Sequence, residues 1–161
     1  MTATTRNETT IKVPEGLPII EIIREFEASA EAVYRAHVDP DLAMQWLGPR
    51  DITSRVDHWD ARTGGSWRYT SSRGDDEFAF FGSFHELRPA ERIVQTFSYE
   101  GFPDSVALEI LHLEALDGGR CRLPSVSVGA SVEGRDAMVA SGMERGVVEG
   151  YQKLDTLLAG G

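Results

Sequence analysis

The segment 131–158, SVEGRDAMVASGMERGVVEGYQKLDTLL, carries a long helical repeat. Its apolar and small side chains recur every three or four residues and so share one face, while charged and amide side chains fall on the other. We predict a single helix from Ser131 to Leu158, which would be about 40 Å long at 1.5 Å per residue. Such a helix is long enough to lie across a whole β-sheet.

Three glycines recur at every fourth position on the predicted buried side of this helix: Gly142, Gly146 and Gly150. Each costs roughly 1 kcal/mol relative to alanine in a helix interior, so a compensating interaction is needed. We expect the helix to approach the sheet closely at these positions. Space left for a ligand is the alternative explanation.

The region upstream of this helix, from about residue 51 to 129, alternates apolar and polar side chains in short runs separated by turn residues. This pattern predicts six consecutive strands in an antiparallel meander. Pro124 falls within the last strand, and we predict a bulge or a broken strand there because proline cannot donate to the ladder. The turns fall at residues 63–65, 74–76, 88–91, 101–104 and 117–119.

Farther upstream, one strand and two short helices precede the meander. Residues 17–28 are rich in β-branched side chains and predict a strand. Ser29 can cap a first short helix, and Asp39 followed by Pro40 gives the start signal of a second, which ends at Gly48. The Thr-rich residues 1–16 are predicted to form a flexible arm, and residues 17–161 a single domain.

Several segments resemble known proteins. Residues 39–42, leading to Trp46 and Gly48, resemble a helix-pair signature of the SRPBCC superfamily, which includes START and birch-pollen-allergen-like proteins. Other segments are similar to the branch named after activators of the ninety-kilodalton heat-shock chaperone's ATPase. These segments are residues 56–60, 64–69, 82–87, 89–94 and 141–151.

This resemblance implies an α+β helix-grip fold. In that fold a seven-stranded curved antiparallel sheet has two short helices after its first strand and one long C-terminal helix across it. The superfamily binds lipids, sterols, polyketides and other apolar molecules, and only some of its members are enzymes. True chaperone activators carry an additional N-terminal docking domain, where this chain has a short Thr-rich arm. Chaperone regulation is therefore the less favoured alternative.

Composition narrows the range of partners and compartments. The 161 residues include 16 Lys and Arg against 26 Asp and Glu, for a net charge of −10. This charge disfavours binding to nucleic acid or to an anionic membrane surface. Cys121 is the single cysteine, which excludes an internal disulfide and the zinc spacings that need a cysteine pair. The first ten residues lack the apolar run of a signal peptide, so we expect a cytoplasmic protein. We also expect no cofactor and no metal.

Aromatic side chains are the main indication of function. We predict a carrier or sensor that binds a small apolar molecule between the sheet and the last helix, with Glu86 and His112 as polar anchors. Each ring could equally fill a solid core, and that alternative stays open. The predicted pocket lining comprises Trp46, Trp67, Tyr69, Phe80, Phe84, Met143 and Val147.

Two carboxylic acids lie in predicted strands and carry the catalytic alternative, a cyclase, hydrolase or dehydratase acting on a hydrophobic substrate. Glu86 shares its predicted strand face with Phe84, and a carboxyl group in an apolar wall would have a raised pKa. Glu109 is the second candidate acid or base. The simpler alternative places Glu86 in an ion pair with Arg68 or Arg92. A protein-interaction role, as a chaperone regulator or a homodimer, is the third possibility.

Overall fold

The computed structural model describes residues 7–160, which form nine β-strands and four α-helices. The strands are β1 (Thr10–Lys12), β2 (Ile19–Phe26), β3 (Thr53–Trp59), β4 (Ser66–Arg73), β5 (Asp76–Arg88), β6 (Arg92–Tyr99), β7 (Ala107–His112), β8 (Glu114–Leu116) and β9 (Arg120–Val128). The helices are α1 (Ala30–Val38), α2 (Pro40–Trp46), α3 (Val132–Ala140) and α4 (Met143–Gly160). No helix within these residues is long and apolar enough to cross a membrane.

All nine strands belong to one antiparallel sheet with the order β1-β2-β9-β7-β6-β5-β4-β3, and β8 also pairs with β9. Cross-strand partners point to the same side of a sheet. The side that bears Phe26, Leu123 and Tyr69 packs against the helices and is called the inner face below. The α+β helix-grip architecture predicted from the sequence is confirmed.

The strand count differs from the predicted seven. Residues 10–12 were predicted to belong to a flexible arm, but they form β1, whose backbone pairs with the outer edge of β2. Residues 1–6 of that predicted arm lie outside the described residues. The remaining extra strand arises because the segment predicted as one strand after residue 105 is divided into β7 and β8.

Pro124 explains where that division falls. Strand β9 pairs with β2 in one continuous register through Pro124, so the predicted bulge or break in β9 is wrong. The pairing with β7 stops at Ser125, and the pairing with β8 resumes at Arg122. The gap coincides with the position where proline lacks an N–H. The interruption therefore lies in the ladder to the neighbouring strand.

The predicted single C-terminal helix is two helices. Gly142 has a φ of 89°, in the left-handed region that ends a helix, and separates α3 from α4. Gly142 is exposed and is not on a buried face. The glycine that allows close packing is Gly150, where an added Cβ would lie 3.0 Å from the carbonyl oxygen of Trp46. Helix α4 thus approaches the end of α2 at this position. We had expected it to approach the sheet.

The core consists of two clusters. The first core cluster lies between α1, α2, α4 and the β2–β9 side of the sheet, and the second lies on β4, β5 and β6. Leu47, which follows α2, packs against both. The first comprises Phe26, Val33, Ala36, Trp46, Leu113, Cys121, Leu123, Tyr151 and Leu154, and the second comprises Trp67, Tyr69 and Phe84 with Phe80, Phe97 and other half-buried neighbours.

Candidate ligand-binding site

A row of polar side chains crosses the inner face on the strands between the two core clusters. Glu109 of β7 is paired with Gln95 of β6 on one side and with Ser127 of β9 on the other. All three are half-buried although they face the interior of the fold. Polar groups that face the helices without being sealed off indicate that the sheet and helices do not close completely here.

A groove of about 320 Å³ opens at the Ser127 end of this row. Its floor is formed by the inner-face residues Ile20, Ala107 and Ser127, and helix α3 forms one wall through Met138. The other wall is the β6–β7 loop, residues 102–106, whose Phe102 side chain is 72% exposed. The volume lies in the range of small-molecule sites, about 300–1,000 Å³.

Glu109 is the ionisable residue of the sheet that pairs in register with Ser127 on the floor of this groove, and Asp104 and Arg135 lie in the groove lining itself. Burial raises the pKa of its carboxyl group, and a hydrogen bond from Gln95 Nε2 to Glu109 Oε1 (2.9 Å) lowers the pKa in part. Burial is the larger cause of the raised pKa of the Tyr69 and Tyr151 hydroxyls, and the negative charge of Glu109 raises both pKa values further. Glu109 is therefore within electrostatic reach of a tyrosine on the sheet and of one on α4.

The two tyrosine hydroxyls have unused hydrogen-bonding capacity. Within residues 7–160, neither the Tyr69 nor the Tyr151 hydroxyl has a hydrogen-bond partner. The indole N–H of Trp67, which stacks on Tyr69 with ring centroids 5.5 Å apart, is buried and likewise unpartnered in the described part of the chain. A buried polar group without a partner is uncommon in folded proteins, so the Trp67 N–H could bond to a bound molecule or to water. The two tyrosine hydroxyls are not fully sealed and could do the same.

The predicted aromatic lining divides between the two clusters. Trp46 belongs to the first core cluster, where its Nε1 donates to the carbonyl oxygen of Ala36 over 2.9 Å and its ring stacks on Tyr151. Trp67, Tyr69 and Phe84 form the second cluster, and Phe80 packs against it half-buried. On α4, Val147 packs against the first core cluster and Met143 is half-buried at the helix start.

The structure does not bring Glu86 and His112 to this part of the inner face. The register of β5 against β6 shifts between Phe84 and Glu86, so Leu87 and not Glu86 packs against the second cluster with Phe84. Such a bulge inserts one residue and reverses the alternation after it. Glu86 forms ion pairs with Arg88 (3.0 Å) and Arg92 (3.5 Å). The pair with Arg92 agrees with the simpler alternative, in which Glu86 was predicted to pair with Arg68 or Arg92. Arg68 instead pairs with Asp57 and Glu100.

His112 is exposed at the end of β7, where it pairs with Arg92. It follows Leu111, an inner-face residue that packs against the first core cluster, and therefore points to the outer side. The expectation that His112 anchors a ligand inside the fold is at odds with this position. Glu109, predicted as the second candidate acid, is the carboxylate that faces inward.

Sequence reasoning missed four residues of the site: Gln95, Phe102, Met138 and Tyr151. Phe102 was assigned to a turn, and Met138 to the middle of an uninterrupted helix. The inward direction of Gln95 could have been found by following the alternation of β6 back from Phe97, two positions away. Tyr151 sits one residue after Gly150, on the face that this glycine already marked as close-packed.

The described residues give little support to nucleophilic catalysis by a thiol or to metal binding. Cys121 is fully buried in the first core cluster, and burial raises the pKa of its thiol to about 11, which disfavours the reactive thiolate. Among residues 7–160, no group of three or more His, Cys, Asp and Glu side chains is placed to hold a metal ion.

Comparison with known proteins gives one family and many similar folds. Residues 27–159 match the family described as Activator of Hsp90 ATPase homolog 1-like protein. No curated protein matches the chain. A Chromobacterium violaceum protein of known structure is 29% identical over 88% of this chain and 96% of its own, with a TM-score of 0.78. A Rhodobacter sphaeroides protein is 27% identical over 94% and 98%, with a TM-score of 0.84. An Arthrobacter aurescens protein, 21% identical over 94% and 92%, shares the fold with a TM-score of 0.86.

Proposed function

Because the chain belongs to the family of Activator of Hsp90 ATPase homolog 1-like proteins, a branch of the SRPBCC superfamily, we propose that it binds a small hydrophobic ligand as a carrier or sensor. The ligand occupies the groove between α3 and the β6–β7 loop and extends along the inner face towards Glu109. The fold family is consistent with such binding, and the position of the groove supports it.

The observation that carries this proposal is the half-buried Gln95–Glu109 pair on the strands between two apolar clusters. Burying a carboxyl group costs free energy unless it is bonded, and Gln95 occupies one of its two oxygens. A solid core would gain more from an apolar residue at this position. A ligand with an apolar body and a polar end accounts for both the rings and the polar row.

The exposed apolar side chains at the mouth support the same conclusion. Phe102 is 72% exposed and Val106 46%, and both border the groove. Met138 faces them from α3, and its flexible side chain adapts to irregular apolar shapes. An apolar ligand would cover this surface on binding.

The test is native mass spectrometry of the purified protein, with solvent extraction of any bound molecule, followed by titration with N-phenylnaphthylamine as a neutral apolar probe. Ser127→Phe fills the floor of the groove and should abolish probe binding. Val128→Phe is the matched control, since its neighbouring side chain points to the outer face, and it should bind normally. Equal probe binding by Ser127→Phe and wild-type protein, both folded, would overturn the proposal.

Catalysis is a second candidate, favoured by one observation. Glu109 has a raised pKa and lies within electrostatic reach of two tyrosine hydroxyls, which suits a general acid or base. The extracted ligand would be incubated with wild-type protein and with Glu109→Gln. Chemical conversion by wild-type protein alone supports the enzyme, and no conversion by either supports the carrier or sensor.

A further inference from the structure

We propose that the ligand is an organic cation, an amphiphilic amine whose ammonium group is bound by the Glu109 carboxylate and whose apolar part extends into the groove. This inference rests on the proposed function and specifies the ligand class for the same site. It follows from three observations: the charges on the inner face, the rings beside Glu109, and the free oxygen of its carboxylate.

The charged groups facing this space leave Glu109 without a counter-ion. On β2, Arg24 faces inward but is held by Asp155 of α4, with Arg24 Nη1 donating to Asp155 Oδ1 over 2.9 Å. On α3, Arg135 is buried, donates to the carbonyl oxygens of Pro14 (2.8 Å) and Ile19 (3.1 Å), and its charge is balanced by Asp136, whose Oδ1 lies 2.8 Å from Arg135 Nε. Within residues 7–160, no Lys, Arg or His side chain forms an ion pair with Glu109. The described inner face therefore carries one unbalanced negative charge when Glu109 is ionised.

The Glu109 carboxylate already has one directed bond that stabilises its ionised form. Gln95 Nε2 donates this bond to Oε1. The side-chain amide is neutral, so the negative charge of the carboxylate remains unbalanced. The second oxygen, Oε2, has no partner in the described part of the chain and is not sealed from solvent. An ammonium group presents N–H donors and a full positive charge, which satisfies both the oxygen and the missing counter-ion.

The neighbouring rings suit a cation as well as an apolar chain. Phe97 lies two residues from Gln95 on the inner face of β6, diagonal to Glu109 across the pair of strands. It packs with Phe80 and Trp67 at centroid distances of 5.4 and 5.8 Å. The negative face of an aromatic ring attracts an ammonium group, and the attraction is stronger when the pair is desolvated. Protein sites that bind quaternary ammonium groups use aromatic faces in this way.

The overall charge of the protein acts in the same direction. A net charge of −10 concentrates cations near the surface and repels anionic amphiphiles such as fatty acids. A neutral ligand that accepts a hydrogen bond from protonated Glu109 is the competing possibility. The two ligand classes differ in whether binding depends on the ionised carboxylate.

The test compares octylammonium with octanol, which share one alkyl chain and differ in the charge of the head group. Alkylammonium ions remain charged at pH 7, as the lysine side chain does. By calorimetry, wild-type protein should bind octylammonium at least about tenfold more tightly than octanol. Glu109→Gln should bring the ratio of the two affinities close to one.

Glu91→Gln is the control for loss of one negative charge, because Glu91 is exposed in the β5–β6 turn. It should keep the octylammonium preference, and thermal unfolding of both variants checks that they fold. A ratio near one in wild-type protein, or a preference that survives Glu109→Gln, would overturn the inference and leave the proposed function intact. If neither probe binds wild-type protein, the inference fails together with the proposed function.

Proton release gives an independent readout. Binding of a cation favours ionised Glu109, so octylammonium should release protons in mildly acidic buffer and octanol should not. The other ionisable groups that face this space or line the groove are Tyr69 on β4, Tyr151 on α4, the Arg24–Asp155 pair, the Arg135–Asp136 pair on α3 and Asp104 in the β6–β7 loop. Both tyrosines have raised pKa values and stay neutral in this range. Proton release that is equal for both probes contradicts the assignment to Glu109.

Discussion

Gln95 donates a hydrogen bond from Nε2 to Oε1 of Glu109 over 2.9 Å and so joins β6 to β7 on the inner face of the sheet. The two residues are direct cross-strand partners, which fixes the distance between their side chains. The pair places one ionisable carboxyl group beside the aromatic cluster. The protonation of this group can be measured and altered independently of any ligand.

Replacing Gln95 with Leu should raise the pKa of Glu109 further. The Gln95 hydrogen bond lowers the pKa of Glu109, and its removal leaves burial as the dominant influence. An NMR titration of the glutamate side-chain carbons measures the change. Gln45→Leu, at an exposed position on α2, is the control and should leave the Glu109 titration unchanged. A lower Glu109 pKa in Gln95→Leu contradicts the prediction.

Glu109→Gln should be stabilising relative to wild-type protein, increasingly so as the pH rises above about 4.5. The folded-state pKa of Glu109 lies above its ordinary value of 4.5, so the folded protein keeps this proton longer than the unfolded chain does. The stability contributed by this group is therefore lost as the pH rises through the folded-state pKa. Urea unfolding at several pH values between 4 and 8 measures it. A difference independent of pH would show that Glu109 ionises equally in both states.

Removing the carboxylate of Asp155 should destabilise the protein by about 3 kcal/mol, because it leaves the buried Arg24 guanidinium without its partner. The double variant Arg24→Met with Asp155→Leu should recover much of this loss. Denaturant unfolding of the two single variants and the double variant measures the coupling. Asp51→Ala, which breaks surface ion pairs with Arg73 and Arg145, is the control and should have little effect. Additive losses in the double variant would show that the ion pair contributes no coupling.

Two glycines of α4 should respond in opposite directions to alanine. At Gly146 the nearest atom to an added Cβ is Pro49 Cδ at 3.6 Å, an ordinary contact, so Gly146→Ala should gain up to about 1 kcal/mol from helix propensity. At Gly150 an added Cβ would lie 3.0 Å from the Trp46 carbonyl oxygen and 3.4 Å from that of Gly48. Gly150→Ala should therefore lower the melting temperature. If both variants are stabilised, α4 can move away from α2 without loss.

His37 should make the stability of the protein fall in acid. Its Nδ1 lies 2.7 Å from the Val33 carbonyl oxygen, its ring packs on Trp46, and burial lowers its pKa to about 4. The unfolded chain takes up this proton near pH 6.5 and the folded protein only near 4, so stability decreases as the pH falls between these values. The loss is at most about 3 kcal/mol. His37→Phe keeps the ring and should show a flatter pH dependence, and an unchanged slope would exclude His37 as its source.

Much of the fold could be predicted because its signals are local. The Asp39-Pro40 helix start, the turn glycines and the period-two alternation of β4 to β6 act over a few residues, and the element order followed from them. The division of the last helix depends on the single left-handed residue Gly142, which a helical periodicity does not reveal. The edge strand β1 forms because β2 offers an unpaired edge, a property of the assembled sheet.

The site could be predicted less well because it depends on which face of each strand is turned inward. The alternation correctly placed Trp67 and Tyr69 on the same face, and the bulge after Phe84 then turned Glu86 away from it. His112 was predicted to face inward, but its neighbour Leu111 is the inward-facing residue, so the prediction was wrong by one position of the strand alternation. Glu109 and Gln95 become partners only when β6 and β7 are aligned in register, which the sequence leaves open.

The pairing of β2 with β9 also bears on how the chain is synthesised. Ile22 pairs with Ser125, and Phe26 with Cys121, so about one hundred residues separate the partners. At roughly 5–20 residues per second, β2 leaves the ribosome about 5–20 s before its partner strand exists. During that interval an isoleucine-rich strand has its main pairing edge open, which favours association with other chains. Slower translation through residues 30–120 should therefore increase aggregation of the nascent protein, while refolding of the complete chain avoids this delay.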